Sequence, residues 1–289
     1  MKGILKLNEP LAPHTSWHIG GRADKYYCPT DIDDLSQFLA TLPPEESITW
    51  LGLGSNVLIP DEGIRGVVIH LLGGTQQLEL MPGTKVIRAE AGATCAKLAK
   101  YCAKEGFIGA EFFAGIPGTV GGALAMNAGA WGGETWRHVV QVEVINRQGE
   151  RRFRKPVEYE IAYRSVQGRQ DEWFVAGFFQ FAQGDPLEAT LRIKALLRER
   201  NAKQPTGVFS CGSVFKNPAG HHAGQLIESS GLKGFTVGSA QVSPKHANFI
   251  LNLGNATAKD IVQLIEHIQT VVLKDHQILL QPEVRMLGF

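Results

Sequence analysis

The stretch Gly115-Ile116-Pro117-Gly118-Thr119-Val120-Gly121-Gly122-Ala123, running on through Met126-Asn127-Ala128-Gly129-Ala130, is almost bare of side-chain bulk. Without a Cβ, glycine accepts positive φ and lets other backbone come close, so consecutive N–H groups can converge on an anion such as a pyrophosphate. A second turn of this kind lies upstream at Gly52-Leu53-Gly54-Ser55-Asn56. Two such turns predict two walls around one extended nucleotide cofactor, where a single turn would read as a structural loop. The competing reading is that both only reverse the chain, as glycine-rich segments often do.

Around these turns the chain has the balance of a globular enzyme. Its 289 residues, 44% hydrophobic and 20% charged, suffice for roughly two or three compact units. A formal net charge of +1 argues against a nucleic-acid surface, because neutralising many phosphates takes a concentrated basic face that no segment supplies. Small molecules are the expected partners. The start, Met1-Lys2-Gly3-Ile4-Leu5-Lys6, meets charge before a long apolar run forms, and no apolar stretch reaches membrane-spanning length. The expectation is a soluble, cytoplasmic, monomeric protein with neither membrane nor nucleic-acid partners. Cys28, Cys95, Cys102 and Cys211 form no CxxC pair and lack metal-ligand spacing, which reads as reduced thiols. Cys95 and Cys102 fall at i and i+7 beside Leu98 and Ala99, the spacing of a buried helical stripe. His221 and His222 are adjacent and suit a chelate poorly without further ligands, so no metal is expected.

Helices and strands alternate along the chain. Asp31 is placed to cap a helix, with Asp34 three residues on and Leu35, Phe38, Leu39 and Leu42 on its apolar face. Residues 48–51, 67–69 and 86–91 read as strands, and the helix carrying Cys95 and Cys102 ends at Gly106, which can adopt a left-handed cap. Further strands at 139–145 and 173–181 flank Tyr159-Glu160-Ile161-Ala162-Tyr163-Arg164-Ser165. Asp185 caps the next helix and Pro186 opens it, while Lys194, Arg198, Arg200 and Lys203 suit its negative C-terminal end. Gln204-Pro205-Thr206-Gly207 breaks that helix and marks a domain boundary. Later, Thr257 caps a helix with Asp260 three residues on and Ile261, Leu264, Ile265, Ile268 and Val272 on its buried face, expected to pack on a separate small sheet. The class is α+β or an α/β sandwich.

A Rossmann dinucleotide site at Gly52-Leu53-Gly54-Ser55-Asn56-Val57 fails on two counts. Val57 stands where a third glycine should allow close helix packing, with Ile59-Pro60 where a helix should run. No acidic residue follows the next strand, since 67–72 leads into Gly73-Gly74, so a ribose partner is missing. The turn must hold its phosphates another way.

Six segments together resemble the UDP-N-acetylenolpyruvoylglucosamine reductase family. They are His18-Ile19-Gly20-Gly21-Arg22-Ala23, Leu51-Gly52-Leu53-Gly54-Ser55-Asn56-Val57-Leu58-Ile59, 115–129, Tyr163-Arg164-Ser165, Gly212-Ser213-Val214-Phe215-Lys216-Asn217-Pro218 and Gln281-Pro282-Glu283-Val284-Arg285. They follow the family's order and span nearly the whole chain. The resemblance implies an α+β fold with the FAD-binding architecture shared by vanillyl-alcohol oxidase and p-cresol methylhydroxylase. Two FAD-binding subdomains would occupy 1–77 and 78–203, and a smaller α+β substrate-binding domain 204–280, with 281–289 returning to the active site. The interval from Arg164 to Lys203 is too short for an extra substrate-covering segment, which implies the compact subtype.

The implied reaction reduces the enolpyruvyl ether of UDP-N-acetylglucosamine to the lactyl ether of UDP-N-acetylmuramate, a peptidoglycan precursor, with FAD as cofactor and NADPH as co-substrate. Ser213 matches the proton donor; a hydroxyl is a feeble acid, but an enolate carbon is basic enough to take its proton. No G-x-S-x-G elbow surrounds it, which argues against an acyl-transfer nucleophile. Arg164 and Glu283 match the residues that polarise the substrate carboxylate, Arg164 through a bidentate pair and Glu283 either protonated or acting through Arg164. Read locally, Ser213 is a turn serine, and Arg164 with Glu283 a surface ion pair.

The resemblance assigns cofactor contacts to Gly52, Leu53, Gly54, Ser55, Asn56, Gly115, Ile116, Pro117, Gly118, Thr119, Gly121, Gly122, Asn127 and Gly129. It assigns substrate contacts to Tyr163, Lys203, Lys216, Asn217 and His246, an ammonium being a suitable point charge for a diphosphate. His246 bonded within the fold is the alternative. Cys211 stands where the family has alanine and is either a small packed side chain or, if exposed, a peroxide-sensitive thiol. A different flavin oxidoreductase of the same fold and a catalytically inert nucleotide-sugar binder retaining Lys203 and Asn217 are the other readings.

Overall fold

The computed structural model describes residues 1–289. Two compact units share the chain discontinuously. The first comprises 1–6, 26–53 and 67–200, and the second comprises 7–25, 54–66 and 201–289. The break at 200 lies close to the boundary expected at 203. The second unit, however, also claims two segments counted above with 1–77.

The chain begins with β1 (Ile4–Pro10), β2 (Arg22–Cys28), α1 (Ile32–Leu39), β3 (Ile48–Leu51), β4 (Val57–Leu58) and β5 (Ile64–His70). Next come β6 (Leu78–Leu80), β7 (Val86–Glu90), α2 (Cys95–Lys104), β8 (Phe107–Ile108), α3 (Val120–Met126), β9 (Gly129–Ala130) and β10 (Gly133–Glu134). They are followed by β11 (Val139–Asn146), β12 (Arg151–Arg154), β13 (Glu160–Ala162), β14 (Ser165–Gln167), β15 (Glu172–Gln180), β16 (Ala182–Gln183) and α4 (Pro186–Lys203).

A four-stranded sheet in the order β1-β2-β5-β3 pairs β3 parallel to β5, from Ile48 opposite Val67 to Leu51 opposite His70. Helix α1 starts where Asp31 Oδ1 accepts from Asp34 N at 2.7 Å, and it buries Ile32, Leu35, Phe38 and Leu39 with Tyr27, Val67 and Ile69. The second sheet of the first unit is five-stranded and antiparallel, in the order β12-β11-β15-β7-β6. Leu98 and Cys102 of α2 and Leu124 of α3 join Val142, Val144 and Phe179 in its core, the packed stripe expected of the two cysteines. Another face of this sheet is charged. Glu143, 1% exposed, accepts from Arg88 Nη2 at 3.1 Å and Arg151 Nε at 2.6 Å, and Arg88 also donates to Glu90 at 3.2 Å.

In the second unit follow α5 (Ala223–Ser229), β17 (Thr236–Val237), β18 (Ala240–Val242), β19 (Ile250–Asn252), α6 (Ala258–His276) and β20 (Arg285–Met286). The capping box at Thr257 forms in both directions: Asp260 N donates to Thr257 Oγ1 at 3.1 Å, and Thr257 N to Asp260 Oδ2 at 3.0 Å. The buried face of α6 is the expected one, in a core shared with the three-stranded antiparallel sheet β17-β18-β19. Two contacts explain why N-terminal chain belongs here. Trp17, fully buried, donates from Nε1 to Ile250 O at 2.8 Å while its carbonyl accepts from Asn252 Nδ2 at 2.8 Å. Strand β20 pairs parallel with β4, placing Arg285 opposite Val57. No helix is long and apolar enough to cross a membrane.

Candidate active site

In the first unit the two glycine stretches meet. A Cβ on Gly52, directly after β3, would stand 2.5 Å from Thr119 Oγ1, so only glycine lets the turn lie against that threonine. Thr119 in turn caps α3, accepting from Gly122 N at 3.4 Å. The expected convergence of amides on an anion needs correction at three positions. Gly118 N donates to Ile116 O at 2.9 Å, Val120 N to Ala93 O at 2.8 Å and Gly121 N to Ala91 O at 2.8 Å. Those N–H groups satisfy the fold, and a Cβ at Gly121 would lie 2.9 Å from Ala91 Cβ, so glycine there serves close packing on the chain after β7. Pro117 and Gly122 are the exposed positions of the stretch.

Arg164 sits in the same unit at an unusual place. The hairpin β13–β14 pairs Ala162 with Ser165, leaving Tyr163 and Arg164 as a two-residue turn, with Arg164 at φ 54°. Arginine pays a conformational penalty in this left-handed region. The surroundings hold it there. Arg164 Nη2 donates to Gly129 O at 2.8 Å, Nη1 donates to Asn127 O at 3.3 Å, and the guanidinium carbon lies 4.9 Å from the centre of the exposed Tyr163 ring. Gly129 opens the β9–β10 hairpin, whose turn residues Trp131 and Gly132 both have positive φ, the backbone of a type I′ turn. Its Trp131 ring covers Gly115, where a Cβ would come within 1.9 Å of Cζ3.

The second unit gathers Ser213, Glu283 and Asn56. Residues 214–216 run antiparallel to 281–283: Glu283 N donates to Val214 O at 2.7 Å, Lys216 N donates to Gln281 O at 2.9 Å, and Phe215 bridges Pro282. Half-buried Ser213 thus stands one residue from the partner of half-buried Glu283. Asn56, expected at the cofactor, ties this pair to its own turn: its Nδ2 donates to Glu283 O at 3.1 Å, and its carbonyl accepts from Arg285 N at 3.0 Å. Gly54, at φ 67°, would bring a Cβ within 2.1 Å of His14 O, which makes glycine obligatory at that point of the turn.

Other expected residues have structural duties as well. Asn217 Oδ1 accepts from Ala223 N at 3.0 Å at the start of α5. Lys203 is the last residue of α4 and is exposed, while Lys216 is half-buried. His246 accepts at Nδ1 from Asn248 N at 3.3 Å and packs its edge on Phe249, and burial holds its pKa below the usual imidazole value. A ring kept neutral adds no positive charge for a diphosphate. Cys211 is 2% exposed, its Sγ donates to Val57 O at 3.6 Å, and burial pushes its pKa up. Cys211 is therefore the small packed side chain of the two alternatives, since a buried thiol yields little thiolate.

Asn248 is a residue that local reading missed. Its side chain accepts from Phe215 N at 3.0 Å and donates to Phe215 O at 2.8 Å, fixing the strand after Ser213. Nothing in Lys245-His246-Ala247-Asn248-Phe249 signals a partner so distant in sequence. No group of three or more His, Cys, Asp or Glu side chains is assembled that could hold a metal ion. The open cleft of about 590 Å³ over the charged sheet face is lined by Asp33, Arg88, Glu90, Glu143 and Arg151 among others, and by none of the expected site residues.

Comparisons with known proteins cover both units. The FAD binding domain family matches residues 23–153, which include both glycine stretches. The C-terminal domain of UDP-N-acetylenolpyruvoylglucosamine reductase matches 204–287, which include Ser213 and Glu283. The UDP-N-acetylenolpyruvoylglucosamine reductase of Coxiella burnetii is 52% identical, covering 100% of this chain and 97% of its own. That of Methylococcus capsulatus is 54% identical, covering 99% and 94%. The crystal structure of the reductase from Thermus caldophilus is 33% identical and superimposes with a TM-score of 0.84 over 99% of both chains. At this identity and coverage the chain belongs to the UDP-N-acetylenolpyruvoylglucosamine reductase family, FAD-containing oxidoreductases of peptidoglycan precursor synthesis.

Proposed function

We propose that this protein uses NADPH to reduce UDP-N-acetylglucosamine enolpyruvate to UDP-N-acetylmuramate, and that Ser213, Arg164 and Glu283 serve the step on the enolpyruvyl group. The observation that carries the reading is the pairing of Glu283 with Val214, which sets a carboxyl-bearing strand beside the strand of a half-buried serine that follows an unobstructed glycine. Bound FAD supplies the hydride for the alkene. The protein's share is charge and proton. Arg164 stabilises the negative charge that develops over the carboxylate and the adjacent carbon, an interaction that strengthens as the charge forms. Ser213 delivers its hydroxyl proton to that carbon and is reprotonated before the next turnover. Glu283 shares the carboxylate end with Arg164.

Lys203, Lys216 and Asn217 hold the diphosphate and nucleotide, with His246 as a neutral polar contact. The bare turns at 52–56 and 115–129, the Asn127 side chain excepted, carry the cofactor, within FAD-binding subdomains at 1–77 and 78–203, and 281–289 completes the site from the C-terminal side. A nucleotide sugar and NADPH as substrates place the reaction in the cytoplasm, where the protein acts as a monomer.

Anaerobic rapid mixing tests the assignment. In the Ser213→Ala enzyme, NADPH should bleach the flavin at the wild-type rate, while return of the colour on adding UDP-N-acetylglucosamine enolpyruvate should slow by about 10²- to 10⁴-fold, the contribution of a positioned general acid. Equal slowing of both halves, or of neither, would remove Ser213 from the chemistry.

A further inference from the structure

We infer that Asn127 is the positioning residue for Arg164, its side chain serving the arginine turn and not the cofactor; the inference rests on the reading of Arg164 given above. Asn127 is 2% exposed and ends α3 in the left-handed conformation, at φ 48° and ψ 53°. Both functional ends of its amide are engaged by protein. Oδ1 accepts from Trp136 N at 3.1 Å, and Nδ2 donates to Ala162 O at 3.1 Å and, at 3.4 Å, towards Glu134 Oε2. Its main-chain carbonyl meanwhile accepts from Arg164 Nη1.

One residue therefore holds the Tyr163-Arg164 turn at two points. The side chain fixes Ala162, the last residue before the turn, and the carbonyl orients the guanidinium at its far side. Arg164 needs such support because its backbone lies in a left-handed region costly for a residue with a Cβ. The chemistry of the amide is specific. Trp136 N requires an acceptor while Ala162 O requires a donor, and at neutral pH a carboxamide offers both where a carboxylate of the same size offers acceptors alone. An aspartate would satisfy Trp136 but turn a second oxygen on the Ala162 carbonyl and Glu134.

Three single variants and one double variant of the FAD-loaded enzyme test this. Asn127→Gly deletes the amide but keeps a residue at ease with positive φ, so the backbone is not the casualty. In this variant FAD affinity and the rate of bleaching by NADPH should stay within about twofold of wild type. The limiting rate of reoxidation by the enolpyruvyl substrate should fall about tenfold to a hundredfold, the cost of a slightly misplaced catalytic group. Adding Asn127→Gly to Arg164→Lys should slow reoxidation by much less than the product of the single effects, because both act through one guanidinium. Asn127→Asp should be slow at neutral pH and recover on acidification, as the new carboxyl gains a proton and can again donate to Ala162. Loss of FAD, equal slowing of both half-reactions, or fully multiplicative effects would overturn the inference. If Arg164→Lys itself leaves reoxidation unchanged, the reading of Arg164 falls and this inference falls with it; if only Asn127→Gly is without effect, the reading of Arg164 stands alone.

Discussion

Asp34 is buried at 2% exposure yet carries a charge the fold has prepared for. Burial alone would raise its pKa, but donors outweigh that effect and hold it below the usual carboxylate value: Lys2 N at 2.6 Å, the Tyr27 hydroxyl at 2.7 Å and Thr30 N at 3.1 Å, with Gly3 N also contributing. A carboxyl with a depressed folded pKa stabilises above its unfolded value and loses that contribution as pH falls through the folded one. The urea midpoint should therefore drop as pH is lowered below about 4, where an unfolded aspartate takes its proton. In Asp34→Asn that acid limb should flatten and the midpoint at pH 7 should be lower; an unchanged acid limb would show that other carboxylates govern it. Single residues were unevenly legible. The cap at Asp31 follows from chemistry with its neighbours three places on, whereas the left-handed Arg164 does not, because arginine carries no local turn signature and owes its conformation to Asn127 and Gly129 far along the chain.

Elements defined by their own pattern were readable, and elements defined by partners were not. Helices α1 and α6 announced themselves through caps and stripes, α4 through its cap, its first-turn proline and its basic end, and β11 and β15 through apolar runs. The order β12-β11-β15-β7-β6 lay beyond reach because pairing depends on residues distant in sequence, and the two short hairpins carrying Gly129 and Arg164 are too brief for periodicity to register. Strand β11 also carries buried Glu143, whose carboxylate holds Arg151 on the adjacent β12 and Arg88 on β7, two strands away. Glu143→Gln would leave Arg88, with its side chain 14% exposed, holding only Glu90. The expected loss is about 3 kcal/mol, the lower end of what breaking a buried pair costs, because Arg151 remains partly in water. Equilibrium urea unfolding measures it, and a loss under about 1 kcal/mol would mean the network contributes shape more than stability.

At the scale of the whole molecule the chain is threaded, with 7–25 and 54–66 belonging to the unit completed by 201–289. A fragment of 201–289 contains the whole family-matched region 204–287, yet lacks Trp17, Ile19 and Leu58, which are buried in its core. Such a fragment should show no cooperative thermal transition and no fixed near-ultraviolet signal of aromatic packing; a sharp transition would mean the core closes without them. No composition shift marks these crossings, so a contiguous 1–77 was the natural reading of the sequence. The threading also orders events in time. On the ribosome the indole of Trp17 and the strand after Asn56 emerge early and find their partners only when the closing part of the chain has been made. Through that interval the nascent polypeptide displays an unfinished apolar surface, and any pause in translation ahead of the C-terminal segment lengthens its exposure to chaperones and to aggregation.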